Sequence, residues 1–328
     1  MKTISKKNVT LDDYCMEDHL QKVNDVIRSS LDSEVPLINQ VGKHIIDGGG
    51  KKMRPQCLLN LAGLAGGIKD IHYQLAAIVE FIHTATLLHD DVVDGSDTRR
   101  SSPTANIKFG NSASILVGDF IYSRSFQMMV ELDNIEIMDI LAYTTNKIAE
   151  GEVLQLINKN SFDISQEDYF KVIQAKTGVL FEACGKLASI SNECSFNQKN
   201  SLSTIGEIFG QIYQLIDDML DYSGDAAKIG KNLGDDLKDG KMTLPLIFAA
   251  EKANINDREI IKNSINHGDL SQLTKIISII NKTNAIESVK EIIITKYAEL
   301  DHKISNFNDS AHKDQIMKFI SKSIHRDF

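Results

Sequence analysis

Apolar residues recur at helical spacing along almost the whole chain, and this feature constrains the fold most. The periodic segments cover residues 12–46, 55–65, 71–94, 112–131, 134–159, 166–190, 199–222, 243–253, 257–266, 269–281, 284–305 and 311–325. The 328 residues include only four prolines, which suits long uninterrupted helices. No stretch alternates cleanly over six residues, and no composition shift marks a linker. We therefore predict one all-α domain spanning residues 1–328.

Charge and cysteine usage exclude several classes of function. The 36 basic and 45 acidic side chains give a net charge of −9, which argues against nucleic acid as a partner. The four cysteines show no CxxC spacing, as expected of reduced thiols and not of a zinc site. The first 15 residues do not read as a secretory or transit signal, and no apolar stretch is long enough to span a bilayer. We expect a soluble, cytoplasmic protein.

Two aspartate clusters carry the most distinctive chemistry. Each has DDxxD spacing and follows an apolar helical segment, so that the first and last aspartates lie on one helical face. The middle aspartate lies about 100° further round the helix. The clusters consist of Asp90, Asp91 and Asp94, and of Asp217, Asp218 and Asp221.

This concentration of like charge requires a counterion. Two carboxylates roughly 6 Å apart repel by about 3 kcal/mol at an effective dielectric constant near 20. The negative end of the helix dipole adds to the cost. A single cluster could be a solvated acidic helix end, but two identical clusters favour binding of a hard cation such as Mg²⁺.

Basic residues surround these clusters in sequence. A glycine-rich turn at 48–50 delivers Lys51 and Arg54 to the start of a helix, where an anion is favoured. Arg99 and Arg100 follow the first cluster, and they either clamp a phosphate or neutralise the aspartates. Solvated or core side chains remain the alternative for each further candidate: His83, Lys176, Thr177, Lys231 and Lys241.

Taken together, the motifs resemble the trans-isoprenyl diphosphate synthase family. The order and spacing match from about residue 42 to 248, through GGGKKMRP, LLHDDVVDGSDTRR, AKTG, QLIDDMLDYSGD and GKNLGDDLKDGKMTLP. Three more stretches are similar to the long-chain bacterial branch, the octaprenyl diphosphate synthases: EFIHTATLLHDDVVD, NSASILVGDFIYSRSFQMM and IAEGEVLQL. One departure is Ser101, where a glycine commonly follows the arginine pair, and we infer no loss of activity from it.

The resemblance implies a helical bundle around a deep central cavity and a set of residue roles. The six aspartates would bind three Mg²⁺ ions that hold the allylic diphosphate. The residues implied to bind isopentenyl diphosphate are Lys51, Arg54, His83 and Arg100. Those implied to contact the allylic diphosphate are Arg99, Lys176, Lys231 and Lys241. Thr177 and Gln214 would face the developing allylic cation.

The implied activity is Mg²⁺-dependent head-to-tail (1′-4) condensation of isopentenyl diphosphate onto an allylic diphosphate such as farnesyl diphosphate. The expected product is octaprenyl diphosphate, a precursor of the side chain of quinones such as ubiquinone. The family is typically homodimeric, and release of so apolar a product suggests peripheral membrane contact. The alternatives are a shorter-chain, geranylgeranyl-type synthase and a non-catalytic subunit of a heteromeric synthase. A terpene cyclase would typically lack the second acidic motif and the isopentenyl site.

Product length depends on the residues below the first cluster. Ala85 and Thr86 are small where short-chain members place an aromatic plug, so we expect an open cavity, although alanine is also simply a good helix former. Further along the chain, the bulky side chains predicted to close the cavity are those of Phe126, Met128 and Met129.

Overall fold

A computed structural model describes residues 15–99, 102–223 and 233–324, and α-helices dominate it. Arg100, Ser101 and Lys231 lie outside the described residues. The helices in the first half are α1 (Met16–Ser30), α2 (Pro36–Asp47), α3 (Met53–Leu64), α4 (Asp70–Val93), α5 (Ala105–Phe109), α6 (Asn111–Glu131), α7 (Ile135–Asn158) and α8 (Gln166–Ile173). Those in the second half are α9 (Val179–Ser191), α10 (Phe196–Ser223), α11 (Asp235–Lys238), α12 (Leu244–Lys252), α13 (Ile255–His267), α14 (Leu273–Lys282), α15 (Ala285–Ile304) and α16 (Ala311–Ile324). The all-α prediction is confirmed.

Three details differ from the periodic pattern. The segment 12–46 contains two helices, because the second begins at Pro36, whose missing N–H suits a first helical position. A π-helical turn, Gln174–Gly178, separates α8 from α9 within the segment 166–190. A short hairpin pairs β1 (Thr98–Arg99) with β2 (Ser102–Pro103) just after α4.

The two aspartate clusters lie at the C-terminal ends of two long helices, as the sequence indicates. Helix α4 packs against α6, and α10 packs against α9. The two helices approach closely at Gly185, which has no side chain: a Cβ atom there would lie only 2.0 Å from the Leu202 carbonyl oxygen. Such backbone approach fixes α10, and with it the second cluster, relative to the core. In the part of the chain that the structure describes, no helix is long and apolar enough to cross a membrane.

Candidate active site

A cavity of about 430 Å³ lies between α4, α6 and α7. At one end it is bordered by charged side chains, those of Asp90, Asp94, Glu152, Lys159 and Lys241. The opposite part is lined mainly by apolar side chains and small polar ones: Ile82, Ala85, Tyr122, Thr145 and Ile148. The cavity therefore offers charge at one end and room for an apolar chain at the other.

The first aspartate cluster divides between the cavity and the protein interior. Asp90 and Asp94, four residues apart, border the cavity, whereas Asp91 is buried. Arg99 donates to Asp91 Oδ1 from Nη2 at 2.9 Å and from Nε at 3.1 Å. Burial raises the pKa of Asp91, although the Arg99 guanidinium opposes the shift. In the structure Arg99 pairs with an aspartate, and its predicted contact with the allylic diphosphate stays a prediction.

Lysines approach both cavity-facing aspartates. Lys176 Nζ lies 3.2 Å from Asp90 Oδ2 and 2.7 Å from Glu152 Oε2. Lys241 Nζ lies 3.2 Å from Asp94 Oδ2, and Lys159 Nζ lies 3.6 Å from Asp94 Oδ1. Burial raises the pKa of Asp94, but the lysines outweigh it and leave the pKa below its ordinary value. This end of the cavity thus concentrates cationic groups where a diphosphate would need them.

Lys176 and Thr177 owe their placement to the π-helical turn. An extra residue in a helical turn changes the direction of the side chains around it, and such turns are frequent at functional sites. Gly151 of α7 permits the approach, because a Cβ atom there would lie 2.8 Å from the Lys176 backbone nitrogen. The same glycine precedes Glu152, so the lysine and its carboxylate partner are fixed together.

The second cluster is held by hydrogen bonds from the protein. Tyr169 donates from its hydroxyl to Asp218 Oδ2 at 2.6 Å, and Gln214 donates to Asp218 Oδ1 at 2.7 Å. Thr177 in turn donates to Gln214 Oε1 at 2.9 Å, which connects the π-helical turn to the cluster. Both oxygens of one carboxylate are therefore oriented by neighbouring side chains.

Asp221 accepts from the backbone of the segment that follows. The N–H groups of Asp235 and Asp236 each donate to it at 3.1 Å. That segment also leads to Lys241, whose backbone N–H donates to the Asp236 carbonyl at 2.8 Å. Burial, reinforced by the charge of Asp236, raises the pKa of Asp218 and of Asp221 to about 8. Ionisation of Asp218 and Asp221 is therefore disfavoured by the described residues around them.

The donor chemistry of the two clusters fits Mg²⁺, although no complete set of ligands converges. Within residues 15–99, 102–223 and 233–324, no group of three His, Cys, Asp or Glu side chains is close enough to hold a metal ion. The cavity-facing donors are carboxylate oxygens, which Mg²⁺ prefers. Burial, and after it repulsion from Asp236, raises the pKa of Asp218 and of Asp221, and a divalent cation would favour their ionised forms. The assignment of the six aspartates as Mg²⁺ ligands stays a prediction.

Arg54 is the best-defined of the residues predicted to bind isopentenyl diphosphate. It lies in the first turn of α3, with its guanidinium 5.0 Å from the centre of the Phe181 ring. Its Nε is buried and has no hydrogen-bond partner among the described residues. Glu80 of α4 lies near enough to influence its pKa, and His83 follows one turn later. Lys51 is exposed in the preceding loop. The structure therefore brings Arg54 towards the part of α4 that carries His83.

The predicted chain-length residues fall into two groups. Ala85 and Thr86 line the cavity, as the sequence indicates. Phe126 does not line it; it packs edge-on against Tyr122, which does, with ring centres 5.2 Å apart. Phe126 lies on the same face of α6 as Tyr122 but one turn further from Asp119, so it stands behind the tyrosine, at which the lining from this helix ends. Met128 and Met129 are buried in the core and are absent from the lining.

Several residues at the site were not predicted from the sequence. Glu152 and Lys159 are seven positions apart on and just after α7, with Gln155 between them, and all three line the cavity. A polar stripe at i, i+3 and i+7 was therefore the available signal. Tyr122 and Tyr169 gave no such signal, because their roles depend on contacts between helices.

An all-helical domain with an apolar cavity beside one DDxxD helix end, a second DDxxD helix end and several lysines defines a class of proteins suited to diphosphates with apolar tails. The aspartates of the second cluster are not among the residues that line the cavity. The sequence model of the family described as "Polyprenyl synthetase" matches residues 35–282. The chain belongs to this family, which confirms both the resemblance drawn from the motifs and the prediction of a prenyltransferase.

The relatives include long-chain enzymes. The chain is 45% identical over 270 residues to the octaprenyl diphosphate synthase of Escherichia coli (strain K12), covering 82% of this chain and 84% of that one. It is similar to the crystal structure of a decaprenyl diphosphate synthase from Rhodobacter capsulatus, with a TM-score of 0.89 and 37% identity over 95% of this chain and 97% of that one. A polyprenyl synthase from Caulobacter crescentus, solved with calcium and isoprenyl diphosphate, matches with a TM-score of 0.91 and 34% identity over 98% of this chain and 99% of that one.

Proposed function

We propose that the protein is a long-chain trans-polyprenyl diphosphate synthase, which condenses isopentenyl diphosphate with an allylic diphosphate in repeated cycles. The observation that carries this proposal is the cavity, with lysines and aspartates at one end and Ala85 opening an apolar interior beyond them. Enzymes of this family use Mg²⁺ and these two substrate classes. Farnesyl diphosphate is the proposed starter and octaprenyl diphosphate the proposed product.

The chemistry assigned to the protein follows from its charges. Ionisation of an allylic carbon–oxygen bond leaves negative charge on the diphosphate, and Lys176 and Lys241 lie where they can neutralise it. Mg²⁺ bound by the aspartates would supply further charge neutralisation of the same leaving group. Thr177 and Gln214 present oxygen atoms near the second cluster, consistent with stabilisation of an allylic cation.

The second substrate must lie next to the cation. Arg54, with Lys51 and His83, is proposed to hold the diphosphate of isopentenyl diphosphate so that its double bond attacks the cation. A proton is then lost, and the departing diphosphate is a suitable acceptor. The product is an allylic diphosphate five carbons longer, which can react again.

Release of inorganic diphosphate tests this proposal. The purified protein with Mg²⁺, farnesyl diphosphate and isopentenyl diphosphate should release one diphosphate for each condensation, and Lys176→Ala should reduce the rate by at least tenfold. Lys171→Ala is the matched control, because Lys171 is exposed on α8 and pairs with Glu167 and Asp168 of the same helix. Absence of any Mg²⁺-dependent release would favour the alternative of a non-catalytic subunit.

A homodimer is proposed from the outer faces of α6 and α7. Leu116, Val130, Val153, Leu156 and Ile157 are all more than half exposed there. Val153 and Leu156 also border the cavity, so a second copy packed on this face would close its outer wall. Light scattering should give twice the mass of the 36.5 kDa chain, and Leu156→Lys should yield monomer. A monomeric wild-type protein would contradict the proposal.

Peripheral membrane contact and use of the product in quinone synthesis are proposed from the chemistry of the product, and a cytoplasmic location is proposed from the scattered cysteines, which suit reduced thiols. A tail of about eight isoprene units partitions strongly into lipid, since each buried CH₂ group contributes about 0.8 kcal/mol. Flotation with phospholipid vesicles should recover more protein after turnover than before it. Equal recovery would argue against release at a membrane.

A further inference from the structure

Lys159 lies at the charged end of the cavity in a position that the sequence motifs do not assign. It directly follows α7, and its Nζ lies 3.6 Å from Asp94 Oδ1. Lys241 Nζ lies 3.2 Å from the other oxygen of the same carboxylate. Asp94 is therefore flanked by two lysines from segments far apart in the chain.

The two lysine-bearing segments are joined to each other. Asn160, the residue after Lys159, has a left-handed backbone with φ of 58° and donates its N–H to the Gly240 carbonyl at 2.8 Å. Gly240, the residue before Lys241, has φ of 68°, and a Cβ atom there would lie 1.9 Å from Asn160 Oδ1. This contact fixes the two lysines as one unit.

The ammonium of Lys159 can donate hydrogen bonds to a ligand. Its separation from Asp94 is too long for a hydrogen bond, and none of the residues described in the structure accepts one from its Nζ. Its side chain is 29% exposed and borders the cavity, so it is open to a ligand. A lysine ammonium has three donors, which suit the oxygens of a diphosphate.

We propose that Lys159 binds the diphosphate group of the allylic substrate, alongside Lys176 and Lys241. This inference rests on the proposed function, because it deepens the assignment of that cavity end as the allylic diphosphate site. Arg54 and His83, which are predicted to bind isopentenyl diphosphate, are not among the residues that line the cavity bordered by Lys159. The effect of Lys159 should therefore be confined to the allylic substrate and to its elongated products.

The test compares Lys159→Met, which keeps an unbranched side chain without the charge, with Lys159→Arg. Lys147→Met is the matched control, because Lys147 lies on α7, the helix that Lys159 directly follows, and pairs with Glu150 at the surface. Equilibrium dialysis measures binding of radiolabelled farnesyl diphosphate with Mg²⁺ and without isopentenyl diphosphate. Steady-state kinetics give KM for each substrate, and thermal unfolding checks that each variant is folded.

Lys159→Met should weaken farnesyl diphosphate binding and raise its KM about tenfold, with KM for isopentenyl diphosphate changed less than twofold. Lys159→Arg should recover most of the affinity, and Lys147→Met should match the wild type. Unchanged farnesyl diphosphate binding in a folded Lys159→Met variant would overturn the proposal, as would a rise confined to the KM for isopentenyl diphosphate. If the wild type bound farnesyl diphosphate through Lys159 but catalysed no condensation, the site would stand and the proposed function would fail.

Discussion

Ala85→Phe should shorten the product sharply. Ala85 lies five residues before Asp90 on α4, about 7.5 Å along the helix axis, and it borders the cavity. Beyond it the cavity continues to Ile82 and Ile148. A phenyl ring at residue 85 would occupy the space through which the growing chain must pass.

The magnitude follows from the apolar surface that each cycle buries. Five more carbons placed in the cavity are stabilised by about 4 kcal/mol, taking 0.8 kcal/mol for each CH₂ group. If the ring denies that space, each further elongation is disfavoured by roughly a thousandfold. The profile should therefore collapse to the longest chain that still fits, C20 or shorter.

Mass spectrometry of the products from farnesyl diphosphate and excess isopentenyl diphosphate measures this effect. Ala85→Ser is the matched control, because serine changes polarity but little volume, and it should leave the product length unchanged. A folded, active Ala85→Phe enzyme with the wild-type product profile would refute the reasoning. The growing chain would then follow a route that does not pass residue 85.

Three other perturbations test separate parts of the structure. Tyr169→Phe removes a hydrogen bond to Asp218, which bound Mg²⁺ would keep ionised, and a hydrogen bond to a charged group is worth about 2 kcal/mol. We therefore expect kcat/KM to fall about thirtyfold and the Mg²⁺ requirement to rise, and a change below twofold would contradict this. Burial lowers the pKa of His72 to about 4, against 6.5 in the unfolded chain, so the unfolded state binds the proton more tightly and folding is disfavoured as the pH falls below 6.5. In urea titrations His72 should account for a loss of about 2 kcal/mol in the free energy of unfolding between pH 7 and pH 5. His72→Gln should abolish that share of the loss. Gly185→Ala would drive a methyl group into the Leu202 carbonyl, and it should destabilise the fold by about 3 kcal/mol, whereas an unchanged melting temperature would show that α9 and α10 can separate.

Local pattern was sufficient to predict the helices and the two clusters. Helical periodicity depends on residues close in sequence, and the DDxxD spacing alone places Asp90 and Asp94 on one face. The same spacing puts Asp91 about 100° away, and the structure pairs this buried aspartate with the exposed side chain of Arg99. The arginine's partner could not be chosen from sequence, because the hairpin that carries it approaches α4 only in the folded chain.

The remaining site residues depend on contacts between distant segments. Tyr169 reaches Asp218 across 49 positions, and Lys159 joins Lys241 through one backbone hydrogen bond between their neighbours. Tyr122 lines the cavity because of how α6 packs against α4. Such packing depends on the whole core, so no sequence motif around these residues indicates their roles.

Product length is the measurement that tests the central proposal most directly. Purified wild-type protein is incubated with Mg²⁺, farnesyl diphosphate and excess isopentenyl diphosphate, and the products are resolved by mass spectrometry. A dominant C40 product is expected from the open cavity below Asp90 and Asp94. Products no longer than C20 would contradict the long-chain assignment, and absence of any Mg²⁺-dependent product would contradict the assignment as a catalytic synthase.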